Sequence, residues 1–221
     1  MPASISASDS LQQLLTERTD LWRGRQRCAA AAIPTGRAAL DACLPDGGWP
    51  RGRLVELLPE RPGSGELELL LPMLAEQTRQ GRPVLFIAPP LVPCPQRLSN
   101  AGLDLTRLVV VRERKHALWC AEQALKSGLC GALVAWPEGR ALNERALRRL
   151  QLSGEHGSAA LFVCYPPGCA PPPSLASLRL GILPGGEIRV LRSRQGAAGS
   201  AIRLSASNVV TLEAYRRTTT V

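Results

Sequence analysis

The chain has 221 residues, with 27 Lys and Arg against 18 Asp and Glu for a formal net charge of +9. This length suits one domain with a real core, and 45% hydrophobic with 20% charged residues exclude a disordered chain, a coiled coil and a collagen. No run approaches the roughly 18 consecutive apolar residues of a membrane span, and Met1 to Leu15 lacks a basic region followed by an apolar run, so a cytoplasmic protein with no membrane partner is expected.

Residues 1–32 form an N-terminal arm. Leu11, Leu14, Leu15 and Leu21 have helical spacing, and the segment ends in the basic run Trp22-Arg23-Gly24-Arg25-Gln26-Arg27. Residues 33–195 carry the folded body, in which apolar runs of strand length alternate with longer helical patterns. The predicted strands are 53–58, 83–88, 108–111, 131–136 and 160–165, and continuous apolar runs of this kind suit a sheet covered on both faces. Between them, helices are expected at 66–80, 94–101, 114–127 and 140–152, with Gly81, Gly102, Gly128 and Gly154 placed for left-handed caps. This alternation predicts an α/β fold with a mostly parallel sheet flanked by helices.

After Tyr165 the prolines at 166, 167 and 171–173 stiffen a loop, and 177–183 and 187–192 flank Pro184-Gly185-Gly186 as a C-terminal β-hairpin. Ile188 and Val190 alternate with Arg189 and Arg192, which gives the hairpin a basic outer face. Residues 196–221 are expected to hold one more short strand and a loose tail.

Lys115 and Lys126 are the only lysines, so arginine dominates the charge, a pattern that a GC-rich coding sequence also produces. A basic balance favours polyanions without saying which face meets them. The seven cysteines are scattered, none in a C-x-x-C pair, and His116 and His156 are far apart, so no metal is expected and reduced core thiols are. His116 reads as a surface or cap histidine. Of the tryptophans, Trp119 is expected in the core and Trp49 and Trp136 over strand ends, while Trp22, flanked by arginines, is a candidate contact.

The segment from Glu56 to Leu67, at the first strand-to-helix junction, lies where an α/β domain holds phosphates on a glycine-rich turn. The working pattern is G-x-x-x-x-G-K-[ST]. Gly63, Ser64 and Gly65 supply the turn, but Glu60 stands at the first glycine, Glu66 at the lysine and Leu67 at the hydroxyl. Lysine neutralises terminal phosphates and the hydroxyl holds Mg²⁺, whereas Glu66 opposes a polyanion by an order of a few kcal/mol at intermediate dielectric. No bound cofactor and no catalytic residue are therefore expected.

Ile33-Pro34-Thr35-Gly36-Arg37-Ala38-Ala39-Leu40-Asp41, followed by Gly47-Gly48-Trp49-Pro50-Arg51-Gly52-Arg53-Leu54-Val55-Glu56, resembles the entrance to RecA-type recombinase cores in content and order. Weaker motifs extend the resemblance over roughly residues 33–183, making 33–195 a degenerate RecA-like domain. Trp22-Arg23-Gly24, the Gly63-Ser64-Gly65-Glu66-Leu67 loop and Leu69-Leu70-Leu71-Pro72 are more closely similar to the ImuA family, RecA-like accessory proteins of bacterial damage-induced mutagenesis related to the division inhibitor SulA. The family's ATPase relatives place a water-activating glutamate after the second strand, where this chain has Ala88-Pro89-Pro90. They place a Mg²⁺-linked aspartate at the end of the fourth, here Ala135-Trp136-Pro137, and a sensor after the fifth, here Tyr165-Pro166-Pro167.

The resemblance implies a non-catalytic accessory role in SOS translesion synthesis. Its partners would be a Y-family polymerase-like protein and an error-prone replicative-type polymerase, with RecA itself and DNA as further candidates. Alternatives stay open: a SulA-like inhibitor binding FtsZ, an ATPase that tolerates Glu66, or a single-strand DNA-binding factor using Arg23, Arg25, Arg27, Arg189, Arg192 and Arg194.

Overall fold

A computed structural model describes residues 32–44, 46–155, 157–173, 176–193 and 201–203. Trp22, Arg23, Arg25, Arg27, Cys28, His156 and Arg194 lie outside the described residues, as does most of the 196–221 tail. The described elements in chain order are α1 (Ala38–Cys43), β1 (Leu54–Pro59), α2 (Glu66–Arg79), β2 (Val84–Ile87), α3 (Pro95–Asn100) and β3 (Leu108–Val111). They continue with α4 (Ala117–Lys126), β4 (Ala132–Ala135), α5 (Glu144–Glu155), β5 (Ala160–Cys164), β6 (Leu178–Leu183), β7 (Glu187–Ser193) and β8 (Ala201–Arg203).

The strands form one sheet in the order β3-β2-β4-β5-β1-β6-β7-β8. Pairing is parallel from β3 through β6, and β6-β7 and β7-β8 are antiparallel, so the α/β class and the C-terminal hairpin hold. Side chains alternate across each strand. Val55 and Leu57 of β1 and Phe162 and Cys164 of β5 face a core with Leu40, Leu70, Leu74 and Leu98 from α1 to α3. Leu54, Leu161, Val163 and Tyr165 face the opposite core with Ala121, Leu125, Leu147 and Leu150 from α4 and α5.

α2 contains Pro72, which removes the amide that would bond the Glu68 carbonyl. The guanidinium of Arg37 donates to that carbonyl through Nη2 at 3.3 Å. Gly36 makes this approach feasible, since a Cβ there would lie 2.5 Å from the Pro72 Cβ. Two motifs far apart in the sequence are thus one structural unit. On the opposite face, Gln151 of α5 accepts the Leu54 amide at 2.8 Å and ties α5 to the start of β1.

Four expectations need correction. Gly81, Gly102 and Gly128 have the left-handed φ of helix caps, but Gly154 does not and lies inside α5, which spans 144–155 rather than 140–152. A Cβ at Gly154 would meet the Gly52 carbonyl oxygen at 3.0 Å, so this glycine serves close packing. β3 is an edge strand rather than a doubly covered one, with Val109 and Val110 exposed. Trp119 is 57% exposed, because Ala117, Leu118, Ala121 and Leu125 form the buried stripe of α4. Of the described cysteines only Cys130 and Cys164 are buried, and Cys94 is exposed.

Gly52 and Gly63 both have positive φ, 64° and 74°, but in different surroundings. A Cβ at Gly52 would approach the Gly157 carbonyl oxygen to 2.6 Å, whereas Gly63 has open space. Urea denaturation should therefore show Gly63→Ala costing about 1 kcal/mol, the left-handed penalty alone, and Gly52→Ala costing about 3 kcal/mol or more. Equal losses would contradict the packing assigned to Gly52.

Candidate functional site

In a mostly parallel sheet the strand C-termini converge on one edge, where loops are free to diverge and ligands bind. Here the ends of β1, β2, β4 and β5 enclose a cleft of about 530 Å³. Its floor and walls come from the β1–α2 loop, the 88–93 segment after β2, Trp136 to Glu138 after β4, and Cys164 to Pro167 after β5. Every strand end singled out in the sequence is thereby brought to one place.

The loop from Glu60 to Gly65 is a tight turn closed on itself. Ser64 Oγ donates to the Arg61 carbonyl at 2.8 Å and accepts the Arg61 amide at 3.1 Å, so its hydroxyl serves the turn. Gly63 and Gly65 adopt left-handed φ values, and Gly65 stands at the N-terminal boundary of α2. Glu66 and Leu67 open the helix. A carboxylate is favoured there by the helix dipole, but it occupies the position where the phosphate-loop pattern needs lysine. Glu66 Oε2 is buried and without a hydrogen-bond partner.

Eight of the nineteen described residues lining the cleft are proline: 59, 62, 89, 90, 93, 137, 166 and 167. Proline has no amide hydrogen, so these positions cannot donate to an anion. Other amides nearby are consumed by the sheet: Ala88 N bonds Val111 O at 2.7 Å, Trp136 N bonds Ile87 O at 2.9 Å and Tyr165 N bonds Leu57 O at 2.9 Å. Ala88 has φ 53°, an unusual value for a residue with a Cβ. Trp136 is braced edge-on by Phe86, with ring centroids 5.5 Å apart. Burial, together with the nearby Glu66 carboxylate, pushes the Cys164 thiol well above the ordinary thiol range.

Beneath the cleft lies an ionic network that sequence spacing could not reveal. Glu56 of β1 is fully buried; its Oε2 accepts from Arg179 Nε at 2.7 Å and its Oε1 from the Tyr165 hydroxyl at 3.0 Å. Arg179 of β6 also donates to the Pro172 carbonyl at 2.9 Å. Burial first, then the Glu56 carboxylate, raises the Tyr165 phenol far above the usual tyrosine range. The network binds β1, β6, the end of β5 and the proline-rich loop.

The remaining candidates are distributed elsewhere. Arg189 and Arg192 are exposed on β7, away from the cleft-lining residues, and Arg189 is engaged by Glu187 at 2.8 Å. His116 stands at the N-terminal boundary of α4 and contacts Glu113. Trp49 is buried edge-on against Phe162 with centroids 5.1 Å apart. Among the described residues no group of His, Cys, Asp and Glu side chains could hold a metal ion, and no helix is long and apolar enough to cross a membrane.

Removing one member of a buried ion pair leaves the other charge uncompensated. Arg179→Met should therefore cost about 3–5 kcal/mol in chemical denaturation. Adding Glu56→Leu and Tyr165→Phe should recover most of that loss. A single-variant cost below about 1 kcal/mol would show that Glu56 finds another partner.

Sequence comparison meets this geometry. The model of the RecA N-terminal domain matches residues 20–136, just over half of the chain and through the end of β4. Protein RecA of Acholeplasma laidlawii is 39% identical over 106 residues, covering 47% of this chain and 31% of that protein. Protein RecA of Clavibacter michiganensis subsp. michiganensis is 35% identical over 137 residues, covering 61% and 36%. Protein RecA of Thermotoga petrophila is 33% identical over 104 residues, covering 46% and 29%. The chain thus spans about a third of the length of the curated relatives it matches. With the match extending from residue 20 to the end of β4, the chain belongs to the RecA N-terminal domain family.

Proposed function

We propose that this protein is a non-catalytic RecA-like accessory factor in damage-induced translesion DNA synthesis, of the ImuA type, and that it works through protein contacts. The observation that carries the reading is the chemistry of the strand-end cleft. Glu66 and Leu67 stand where nucleotide chemistry uses lysine and a hydroxyl, and the cleft is lined by prolines that cannot donate to phosphate. By the resemblance, Ala88-Pro89-Pro90 and Ala135-Trp136-Pro137 stand where RecA-type ATPases carry their water-activating and Mg²⁺-linked carboxylates. A single altered residue could be compensated, whereas altered residues on four strand ends remove charge neutralisation, metal binding and water activation together.

A role in partner binding draws support from the edge of the sheet. Val109 and Val110 of β3 are exposed, and Leu91 and Val92 on the neighbouring loop are 81% and 69% exposed. An unpaired apolar edge strand is a costly surface to leave open and a ready one for a partner to cover. The proposed partners are a Y-family polymerase-like protein, an error-prone replicative-type polymerase and RecA. Direct DNA binding through the hairpin draws less support, since Arg189 is engaged by a carboxylate on its own strand.

Co-expression of the full chain with the products of neighbouring genes should give a stable complex containing the polymerase-like protein. Purified separately, the chain should hydrolyse no ATP above the buffer rate. Elution of the chain alone, with no association with either polymerase-type partner or RecA, would contradict the proposal.

A further inference from the structure

We infer that the open edge of β3 is a docking site for an acidic, extended segment of a partner protein, which adds to the sheet as a further strand and sets a carboxylate against Arg112. The inference rests on the reading above that the chain works through protein contacts, and it names the chemistry of one such contact.

The backbone of the edge selects an extended occupant. β3 ends the sheet, and among the described residues no strand pairs with its outer side. Main-chain N–H and C=O groups on that side meet water or an added strand, and main-chain bonds to an extended segment are a recurring way for such an edge to bind. Natural edges are blunted by a charge, a proline or a bulge within the strand. Leu108-Val109-Val110-Val111 has none of these, and Val109 and Val110 are exposed.

Charge complementarity selects an acidic one. Beside β3 lies a hollow of about 280 Å³ whose charged lining residues are Arg112 and Arg114, with no carboxylate. Arg114 donates to the Pro90 carbonyl at 3.2 Å and so holds one wall. Arg112 is exposed and has no hydrogen bond or ion pair among the described residues. From residue 104 to 115 the chain carries four cations and two carboxylates, so the edge is positive. Both carboxylates are engaged: Asp104 lies 3.6 Å from Arg107, and Glu113 accepts the His116 amide at 3.1 Å. Glu66 and Glu138 line the strand-end cleft, across the 89–93 segment, and do not line this hollow.

The apolar lining selects a polypeptide over a nucleic-acid strand. Leu91, Val92 and Val110 border the same hollow, and the first two are the most exposed large apolar side chains near the edge. Phosphates gain nothing from such a surface, whereas alternate side chains of a strand do. Val110 and Arg112, two apart in extended chain, share a side, so the facing residues of the added strand are one apolar and one acidic. Prolines 89, 90 and 93 stiffen the wall, which limits the ordering cost of docking.

The test uses the full-length protein and the blocked heptapeptide acetyl-Thr-Glu-Val-Val-Val-Glu-Thr-amide, followed by calorimetry. Its central valine has a glutamate two residues away on either side, so parallel and antiparallel docking both bring a carboxylate to Arg112. It should bind about fivefold more tightly than the version with Gln for both Glu, and the Lys version should be weakest. Arg112→Gln should bring the Glu-to-Gln ratio to about 1 without weakening the Gln peptide. Leu91→Ser combined with Val92→Ser, both on the surface, should weaken all three peptides alike. Proline at the three valine positions forbids a strand ladder and should abolish binding. Absence of binding by every peptide at millimolar concentration, equal binding of the Glu and Lys peptides, an unchanged ratio in Arg112→Gln, or undiminished binding of the proline peptide would each overturn the inference. None of these results touches the accessory role, which the co-expression experiment tests separately. Displacement of the Glu peptide by oligothymidylate would assign the hollow to nucleic acid and overturn the inference. Binding of the Glu peptide only as it dissociates a self-associated species would overturn the choice of a partner protein in favour of a second copy.

Discussion

A carboxylate with no access to water sits in the middle of this sheet, and the arrangement of the strand ends depends on how it is neutralised. Burying a carboxylate there without partners would be costly. Arg179 arrives from β6, 123 residues further along the chain, and Tyr165 from the end of β5. Because Arg179 also holds the Pro172 carbonyl, the loop that follows β5 is fixed by the same interaction. The network adds little net stability beyond what a well-packed apolar set would give. It fixes the mutual positions of β1, β5 and β6, and so decides where Tyr165 and Pro166 stand relative to the β1–α2 loop.

With that frame fixed, the chemistry of the edge follows from residue type. A phosphate site needs amide hydrogens, a cation and a metal-binding hydroxyl aimed at one point. This edge has proline at eight positions, a carboxylate at the start of α2 and a serine hydroxyl spent within its own turn. Aromatic and aliphatic side chains fill the remaining wall. On the proposed reading, the architecture that positions a nucleotide in RecA-type ATPases here positions an apolar, proline-lined cleft with a carboxylate, Glu66, at the head of α2.

Strands β1, β2, β4 and β5 were legible because burial on both faces makes them continuous apolar runs, and the glycines at 81, 102 and 128 marked helix ends because a left-handed cap needs them. β3 has the same apolar run, Leu108-Val109-Val110-Val111, yet lies at the edge; hydrophobicity alone does not distinguish a covered strand from an uncovered one. Gly154 misled because glycine also permits close backbone approach, and no local pattern separates that use from capping. Trp119 misled because a stripe of Ala117, Ala121 and Leu125 contributes little hydrophobicity, so the largest side chain on the helix was assigned to the core. The strand ends of the site were identified from their motifs one by one, whereas their convergence on a single proline-lined cleft, and the Glu56–Arg179 pair beneath it, required the fold.

The central claim is that the cleft is closed to nucleotides by its own side chains. Its most direct test is a titration of the purified chain with a fluorescent N-methylanthraniloyl derivative of ATP in the presence of Mg²⁺, followed by emission enhancement. The account predicts no saturable enhancement up to millimolar nucleotide, and none gained when Glu66→Lys and Leu67→Thr are combined, because the prolines and the two alanines remain. Saturable binding at micromolar concentration by the unaltered chain would contradict it.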